Sequence, residues 1–207
     1  DAGPLRIEEV SQRDPTSAAV LAAFGEIGVP LNPDYNGPDQ TGACYYQTTV
    51  ADGRRCSAAD AYLRPILARP NLTVVTAAHC QRVLFDGRRA SAVELLCQGQ
   101  ALTIQARREV ILAAGAYHSP KLLMLSGIGP ADHLAAHGIP DLHDCRAVGA
   151  DLQDHYILPM SWQLKRGAFS YNRELAGVRL VWNVLRYLAN RTGAMTIPAA
   201  QTGAFVK

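Results

Sequence analysis

Lysine is scarce in this sequence, and the charges of the two signs nearly balance. Only three lysines accompany 17 arginines, a ratio typical of a GC-rich bacterial genome. The formal net charge is +2, and the basic residues are scattered along the chain rather than gathered in runs. Because nucleic acids and anionic membranes are bound by clustered positive charge, neither is indicated as a partner.

Long apolar runs are also missing. No stretch approaches the roughly 20 apolar residues that a membrane-crossing helix requires. The first residues, DAGPLR, lack the basic and apolar regions of a signal peptide. Hydrophobic residues nevertheless make up 48% of the chain and charged residues 18%, which is the balance of a globular protein with a core. We therefore expect a soluble, compact protein that forms one domain or parts of two.

The five cysteines form no recognisable framework. They are odd in number, widely spaced and without a C-x-x-C pair, which argues against a disulfide scaffold and against a zinc knuckle. A reducing compartment, and so a cytoplasmic location, is the simpler expectation for these residues: Cys44, Cys56, Cys80, Cys97 and Cys145.

Two groupings of polar residues carry the residue types of an active site without its pattern. His133 and His137 lie four apart on a predicted helix, but no glutamate follows His133 as in H-E-x-x-H, so we predict a solvated helix face and no metal. Ser126, Asp154 and His155 contain the types of a hydrolase triad, yet Ser126 lies in LSG rather than in G-x-S-x-G. Neither a metal site nor a hydrolase is predicted.

Local patterns predict a mixture of helices and strands. The segment DPTSAAVLAAFGEIG from Asp14 to Gly28 has a capping residue, an apolar stripe and a terminal glycine, and predicts a helix. SAADAYLRPIL predicts a second helix with Ser57 as its N-cap. Between Asn71 and Gly115, short β-branched runs such as LTVVT alternate with turn residues and predict a strand-rich block. The segment from Arg173 to Gly193 predicts a helix whose apolar side needs a partner: Val178, Val181, Trp182, Leu185 and Leu188.

One strand-to-helix transition stands out within the strand-rich block. Val110–Ala114 is continuously apolar and ends on Gly115, which predicts a strand buried on both faces of a parallel sheet. Ser119 and Pro120 then predict the beginning of a helix. A strand that ends in Ala-Ala-Gly lets the backbone approach a ligand closely, and the positive end of a following helix suits a diphosphate.

The string GAYHSPKLLMLSGIGP over residues 115–130 resembles the second signature of the GMC (glucose-methanol-choline) oxidoreductase family. The match requires Gly115, Ser119-Pro120, paired aliphatic residues and SGIG in a fixed register. Further segments agree with the family in order along the chain: DAGPL, NGPDQTG, GRRCSAADAYL, NLTVVT and VGADLQDH. The resemblance covers essentially the whole sequence.

The resemblance implies FAD as the cofactor and places three residues beside it. Ala114 and Gly115 are the leading cofactor contacts. Cys80 stands where the family has a valine whose backbone brackets the adenine of FAD. A cysteine can substitute there as a small hydrophobe, while a role as buried core filler is the alternative for its side chain.

The segment DLQDH, Asp151 to His155, resembles the family's NLQDH, which returns the chain toward the flavin. Asp151 replaces the usual asparagine. Because an ionised carboxylate only accepts hydrogen bonds, any bond that the asparagine amide donates would be lost. The sequence therefore does not predict the backbone geometry of this segment.

The sequence also lacks two parts that the family requires. No G-x-G-x-x-G occurs, and the nearest string, residues 127–132, lacks the third glycine. The family's catalytic histidine and its histidine or asparagine partner lie near the carboxyl end of the full enzyme, and none of the six histidines here occupies that position. No catalytic residue is therefore assigned, and the chain is hypothesised to be a central fragment or a truncated gene product, inactive alone.

The resemblance implies a mixed α/β (α+β) fold in two parts. Residues 57–150 are expected to form part of a Rossmann-like FAD-binding domain with an antiparallel meander. Residues 1–56 and 151–207 are expected to belong mainly to a discontinuous substrate-binding domain.

The implied activity is that of an FAD-dependent oxidoreductase acting on the CH–OH group of a small-molecule alcohol, such as choline, an aliphatic or aromatic alcohol or polyethylene glycol, with the electron acceptor open. In the intact enzyme a base removes the alcohol proton as hydride passes to the flavin. Two alternatives are a flavin-retaining hydroxynitrile lyase on the same scaffold and a non-catalytic interaction module made by truncation.

Overall fold

The computed structural model describes residues 3–198 and 200–206. The chain divides into two compact units. The first unit comprises the described residues up to Thr73 together with those from Met160 onward, and the second comprises Val74–Pro159. No helix among the described residues is both long and apolar enough to cross a membrane.

The first unit is built around helix α1, Pro15–Glu26. The helix begins as predicted, because the Asp14 side chain accepts a hydrogen bond from the Ser17 N–H at 2.9 Å and Pro15 suits a first helical position. Of the predicted apolar stripe, Leu21 is buried, whereas Ile27 remains 74% exposed.

Three short two-stranded sheets and one isolated bridge complete the amino-terminal part of this unit. They involve β1 (Glu8–Glu9) with β3 (Gln47–Thr48), β2 (Gly42–Tyr45) with β11 (Thr202–Phe205), and β4 (Val50–Ala51) with β5 (Arg54–Arg55), besides an isolated bridge between Leu31 and Ala43. All three strand pairs are antiparallel, and β2 and β11 join segments about 160 residues apart in the sequence. Ala43 and Cys44 on β2 are buried in the core of the unit.

The helix predicted from Ser57 is shorter and less regular than expected. Ser57 does act as a cap, since its Oγ accepts the Asp60 N–H at 3.2 Å. The chain then forms a π turn over Ala59–Leu63 and a 3₁₀ turn over Arg64–Ile66. Pro65, which has no N–H to donate, explains why no α-helix propagates through this segment.

The carboxyl-terminal part of the first unit contains α4 (Tyr171–Glu174), α5 (Gly177–Asn190) and a 3₁₀ turn (Ala194–Thr196). Helix α5 confirms the predicted helix, although its first turn begins at Gly177. Asn183 on its inner side is buried and donates to the Glu174 and Arg179 carbonyl oxygens. Its predicted apolar side is exposed, with Val178 at 87% and Trp182 at 67%.

The second unit contains an antiparallel meander of three strands, β6 (Ala78–Asp86), β7 (Arg89–Cys97) and β8 (Gln100–Gln105). Tight turns containing Gly87 and Gly99, both at positive φ, join the strands. The meander confirms the larger part of the predicted strand-rich block. The run LTVVT, residues 72–76, is not in a strand.

The prediction of a parallel strand over Val110–Ala114 is wrong for this chain. These residues pair with no strand among those the structure describes, and Ile111 is 78% exposed. A run buried on both faces needs neighbouring strands that supply hydrogen bonds, and the described residues offer none beside it.

Helix α2, Gly115–Leu125, begins four residues earlier than Ser119-Pro120 predicted. Pro120 lies inside the helix, where its missing N–H costs one bond within the first two turns. The chain continues through β9 (Ile128–Gly129), α3 (Ala131–Ala136) and β10 (His143–Asp144), with β9 and β10 paired in parallel. The core of this unit includes Val83, Ala92, Leu122 and Leu134.

Candidate cofactor-binding site

Strand β6 and helix α2 face each other in the second unit and line an open cavity of about 490 Å³. Cys80 lies on β6 and Ala114 immediately precedes α2, so the fold brings two of the three predicted cofactor residues to one cavity across 34 residues of sequence. The volume lies within the range of ligand-binding pockets. The cavity is lined by Ala78, His79, Cys80, Gln81, Ala114, His118, Lys121, Leu122 and Leu125.

Gly115 follows Ala114 and is not among the lining residues. Its φ is +83°, and a Cβ built at this position would meet no atom within 4 Å. Glycine is therefore favoured here by the left-handed backbone that starts the helix, rather than by a close neighbour. The space beside Gly115 is open, as a backbone approached by a ligand requires.

Ser119 forms a hydrogen bond that stabilises the amino-terminal end of α2. Its hydroxyl accepts a hydrogen bond from the Ala114 N–H at 3.0 Å. The N–H groups at Gly115, Ala116 and Tyr117 belong to the first helical turn, where no intrahelical acceptor exists. The Ser-Pro pair of the signature therefore shapes the helix entrance from within the first turns, instead of starting the helix.

Ser126 fixes the other end of α2 to β6. Its Oγ accepts a hydrogen bond from the Val83 N–H at 2.9 Å and donates one to the Leu122 carbonyl oxygen. Val83 is buried, so its N–H on the outer edge of β6 has a protein partner in place of water. The Ser126 hydroxyl, which has the residue type of a hydrolase nucleophile, therefore uses both hydrogen bonds to position α2 as one wall of the cavity.

The two glycines after Ser126 allow close packing behind the cavity. Gly127 has φ +85°, and a Cβ there would lie 2.7 Å from the Pro140 carbonyl oxygen. A Cβ at Gly129 would lie 2.8 Å from Cγ of Met124. Within the SGIG part of the signature, Gly127 thus permits the close approach of the segment around Pro140, and Gly129 permits close packing against α2.

Cys80 is partly buried in the cavity wall. Burial raises the pKa of the Cys80 thiol above its usual range, so the thiol remains protonated at neutral pH. A protonated thiol is a poor nucleophile, which leaves Cys80 the character of a small apolar residue. This position is compatible with a backbone contact to the cofactor, because the Cys80 backbone borders the cavity. It is equally compatible with a side chain that fills the core, because that side chain is partly buried.

The polar residues of the cavity were not singled out from the sequence. His79, Gln81, His118 and Lys121 line it, and no aspartate or glutamate does. The only sequence signal for His118 and Lys121 is their spacing with Leu122 and Leu125, which places all four on one face of a helix. An apolar wall next to cationic and amide groups fits the adenosine and phosphate part of a dinucleotide, so the residues present are compatible with FAD.

A second cavity, of about 450 Å³, lies between α2 and the DLQDH segment within the second unit. Tyr117, Pro120 and Asp151 are among its lining residues. Asp151 has φ +53°, a left-handed conformation that asparagine and aspartate tolerate better than most residues. Aspartate can therefore hold this left-handed backbone where the family pattern has asparagine.

The residues that have the types of a hydrolase triad or of a metal site do not assemble into active sites. His155 Nδ1 lies 4.0 Å from Asp154 Oδ1 with both side chains largely exposed, and the hydrogen bonds of Ser126 go elsewhere. His133 and His137 form an edge-to-face ring contact at 4.7 Å. The described part of the chain contains no group of three or more metal-ligating side chains.

Comparison with known proteins places this site in a family. The family model for GMC oxidoreductase matches residues 2–157. An uncharacterized GMC-type oxidoreductase of Mycobacterium tuberculosis is 41% identical over 207 residues, covering 99% of this chain and 38% of the relative. An oxygen-dependent choline dehydrogenase of Brucella ovis is 45% identical over 153 residues, covering 74% of this chain and 28% of the relative.

Solved structures agree with the relatives. A structure of formate oxidase from Aspergillus oryzae, determined to examine its FAD modification, superposes with a TM-score of 0.85 at 30% identity. The match covers 97% of this chain and 35% of the oxidase. The chain thus spans well under half the length of the relatives it matches, and its mixed α/β structure is shared with flavin-dependent oxidases. The chain belongs to the GMC oxidoreductase family.

Proposed function

We propose that this chain is the central portion of an FAD-dependent oxidoreductase that acts on the CH–OH group of a small-molecule alcohol. In this proposal Cys80, Ala114 and Gly115 help to seat the cofactor. Bound FAD supplies the hydride acceptor for alcohol oxidation.

The observation that carries the proposal is the cavity between β6 and α2. Residues 80 and 114 come from different elements and meet at its wall, beside an open left-handed glycine. Cavities lined by apolar groups with a few polar side chains are where small ligands bind. The family match supports FAD as the ligand, and the cavity supports this location for it in the proposal.

The domain assignment is part of the same proposal. Residues 57–150 are assigned to a Rossmann-like FAD-binding domain, and residues 1–56 with 151–207 to the substrate-binding domain. The two compact units divide the chain at other positions, between residues 73 and 74 and between residues 159 and 160.

The acid-base chemistry is proposed to come from sequence outside these 207 residues. None of the cavity residues combines a histidine with a hydrogen-bonded partner positioned as a general base pair. The chain alone is therefore expected to bind the cofactor reversibly and to leave alcohols unoxidised.

A cysteine-protection experiment tests the cofactor seat. The purified chain is treated with iodoacetamide with and without FAD, and the modification of each cysteine is followed by mass spectrometry. FAD is expected to slow the labelling of Cys80 roughly tenfold at a free concentration ten times its Kd, because only the unliganded form reacts. Cys145, which lies in the same unit outside the cavity, serves as the internal control.

A pair of glycine substitutions tests the contribution of Gly115. Gly115→Ala strains a left-handed backbone at the cavity, and Gly138→Ala strains one after α3, and in both cases the new Cβ meets no neighbour within 4 Å. Weaker protection of Cys80 is expected only for Gly115→Ala. Equal labelling of Cys80 with and without FAD contradicts the cofactor seat, and stoichiometric flavin that is bleached by alcohol contradicts the absence of a catalytic base.

A further inference from the structure

Two pairs of adjacent arginines that are distant in the sequence meet at one end of the β6–β7–β8 meander. The first pair lies at the turn from β6 to β7, and the second follows the end of β8. Nη2 of Arg89 donates a hydrogen bond to the Arg107 carbonyl oxygen at 2.9 Å, which brings the two pairs together. These residues form the arginine edge of the second unit: Arg88, Arg89, Arg107 and Arg108.

We propose that the arginine edge is a docking surface for an acidic protein partner. All four arginines are exposed, and none of them forms an ion pair with another described residue. A guanidinium group binds a carboxylate through two parallel hydrogen bonds, so these side chains are available to the carboxylates of another molecule. No residue of the arginine edge lines the cavity between β6 and α2, and the inference is therefore independent of the proposed function.

The meander holds the backbone of the arginine edge in place. Asp86 and Arg89 face each other as the last pair of the β6–β7 ladder. The Ala106 N–H donates to the Ser91 carbonyl oxygen at 2.8 Å, which extends the β7–β8 pairing by one residue to the position before Arg107. Because both arginine pairs are attached to paired strands, a partner that binds them does not have to order the backbone first.

Two carboxylates beside the arginines favour a protein as the partner. Asp86 precedes the first arginine pair, Glu109 follows the second, and both are exposed, so four arginines and two carboxylates leave a net charge of +2. A uniformly anionic surface, such as a nucleic acid or a lipid headgroup layer, repels both carboxylates. An acidic protein surface can place a basic side chain opposite each of them.

The composition of the arginine edge also favours a protein over the other two polyanions. Residues 86–89 and 106–109 contain no aromatic side chain on which a nucleic-acid base could stack. Their only apolar side chain is that of Ala106, which is too small to insert into a bilayer surface. Recognition of carboxylates by the guanidinium groups is therefore the interaction that this surface offers.

Binding of the 207-residue chain to three anionic probes at low salt tests the inference. The probes are a fluorescent peptide of glutamates interrupted by lysines, an oligothymidylate of the same length, and phosphatidylcholine vesicles that contain phosphatidylserine. The peptide is expected to bind most tightly, and added NaCl should weaken its binding. Arg88→Gln combined with Arg108→Gln should weaken peptide binding roughly tenfold, because two exposed ion pairs are lost.

Arg54→Gln combined with Arg55→Gln is the matched control, because it removes an exposed pair of adjacent arginines from β5 in the first unit. This variant has the same net charge as the test variant and should keep the affinity of the unsubstituted chain for the peptide. Circular dichroism of each variant establishes that the fold is retained. An equal loss in the control overturns the arginine edge as the site of binding, and so does a failure of the peptide to bind. Tighter binding of the oligothymidylate or of the vesicles overturns a protein as the partner.

Discussion

Tyr171 donates a hydrogen bond from its phenol to Oδ2 of Asp14 at 3.2 Å, joining two segments that lie 157 residues apart in the sequence. The same phenol oxygen accepts a hydrogen bond from Gln201 Nε2 at 2.8 Å. Asp14 and Gln201 are both buried, so the network ties three distant segments of the first unit together. A satisfied buried network of this kind specifies one packing arrangement.

Tyr171→Phe should destabilise the first unit. The substitution leaves Asp14 and Gln201 buried without their shared partner, which costs about 1–3 kcal/mol. Urea unfolding monitored by circular dichroism measures the loss. Tyr156→Phe is the control, because Tyr156 is 94% exposed, and a loss of similar size in that variant would contradict the role of the network.

The stability of the chain should fall at high pH through the same tyrosine. Burial, and then the neighbouring Asp14 carboxylate, raise the pKa of Tyr171 from 10.0 to about 12. Because the folded state holds this proton more tightly than the unfolded state does, its contribution is complete below pH 10.0 and is lost as the pH rises toward about 12. Unfolding measured across this interval should show a flatter decline in Tyr171→Phe, and an unchanged slope would contradict the assignment.

Asp14 should make the chain sensitive to acid. Burial raises the pKa of the Asp14 carboxyl, but the hydrogen bonds from Ser17 and Tyr171 outweigh burial and hold that pKa below its usual 3.8. The stabilisation is therefore present above pH 3.8 and is lost as the pH falls through the folded-state pKa. Asp14→Asn should reduce this loss of stability in acid unfolding experiments. The control variant Asp141→Asn, at an exposed position, should leave the loss of stability unchanged.

A pair of glycine substitutions separates backbone strain from steric overlap in the second unit. Gly99 and Gly127 have φ of +80° and +85°, so alanine costs about 1–2 kcal/mol at each through its backbone alone. Only at Gly127 does the new Cβ meet a backbone atom, the Pro140 carbonyl oxygen at 2.7 Å. Gly127→Ala should therefore cost roughly 1–3 kcal/mol more than Gly99→Ala in thermal unfolding. Equal losses would show that the loop around Pro140 moves aside freely.

Ser126→Ala should weaken both the second unit and its cavity. The substitution leaves the buried Val83 N–H without an acceptor, a cost of about 1–3 kcal/mol. Because the same bond fixes α2 against β6, FAD binding should also weaken. Ser161→Ala at an exposed position provides the control. Unchanged FAD affinity in a destabilised Ser126→Ala variant would contradict the role of this bond in shaping the cavity.

The sequence was informative where structure depends on neighbours in the chain. Helix α1 was predicted because Asp14 and Pro15 determine its start locally. The meander was predicted because alternating apolar residues and turns at Gly87 and Gly99 are local signals as well.

Structure that depends on residues distant in the chain could not be predicted from the sequence. Val110–Ala114 has the composition of a buried strand, yet strand formation needs a neighbour and none lies beside it among the described residues. The Asp14–Tyr171 bond gave no signal, because neither residue carries information about the other. In the candidate site, the family resemblance led to Cys80, Ala114 and Gly115. The polar lining by His118 and Lys121 and the hydrogen bond of Ser126 emerged only when β6 and α2 were brought together.

The single hydroxyl that joins α2 to β6 lies at residue 126, beyond the last residue that lines the cavity. Helix α2 is thus attached to β6 at its carboxyl-terminal end, whereas the candidate cofactor contacts Ala114 and Gly115 lie at its amino-terminal end. A change at the anchor alters the spacing of the two walls without removing any group that a ligand touches. We therefore expect that cofactor affinity at the proposed seat can be adjusted, by evolution or by design, from outside the residues that line the cavity.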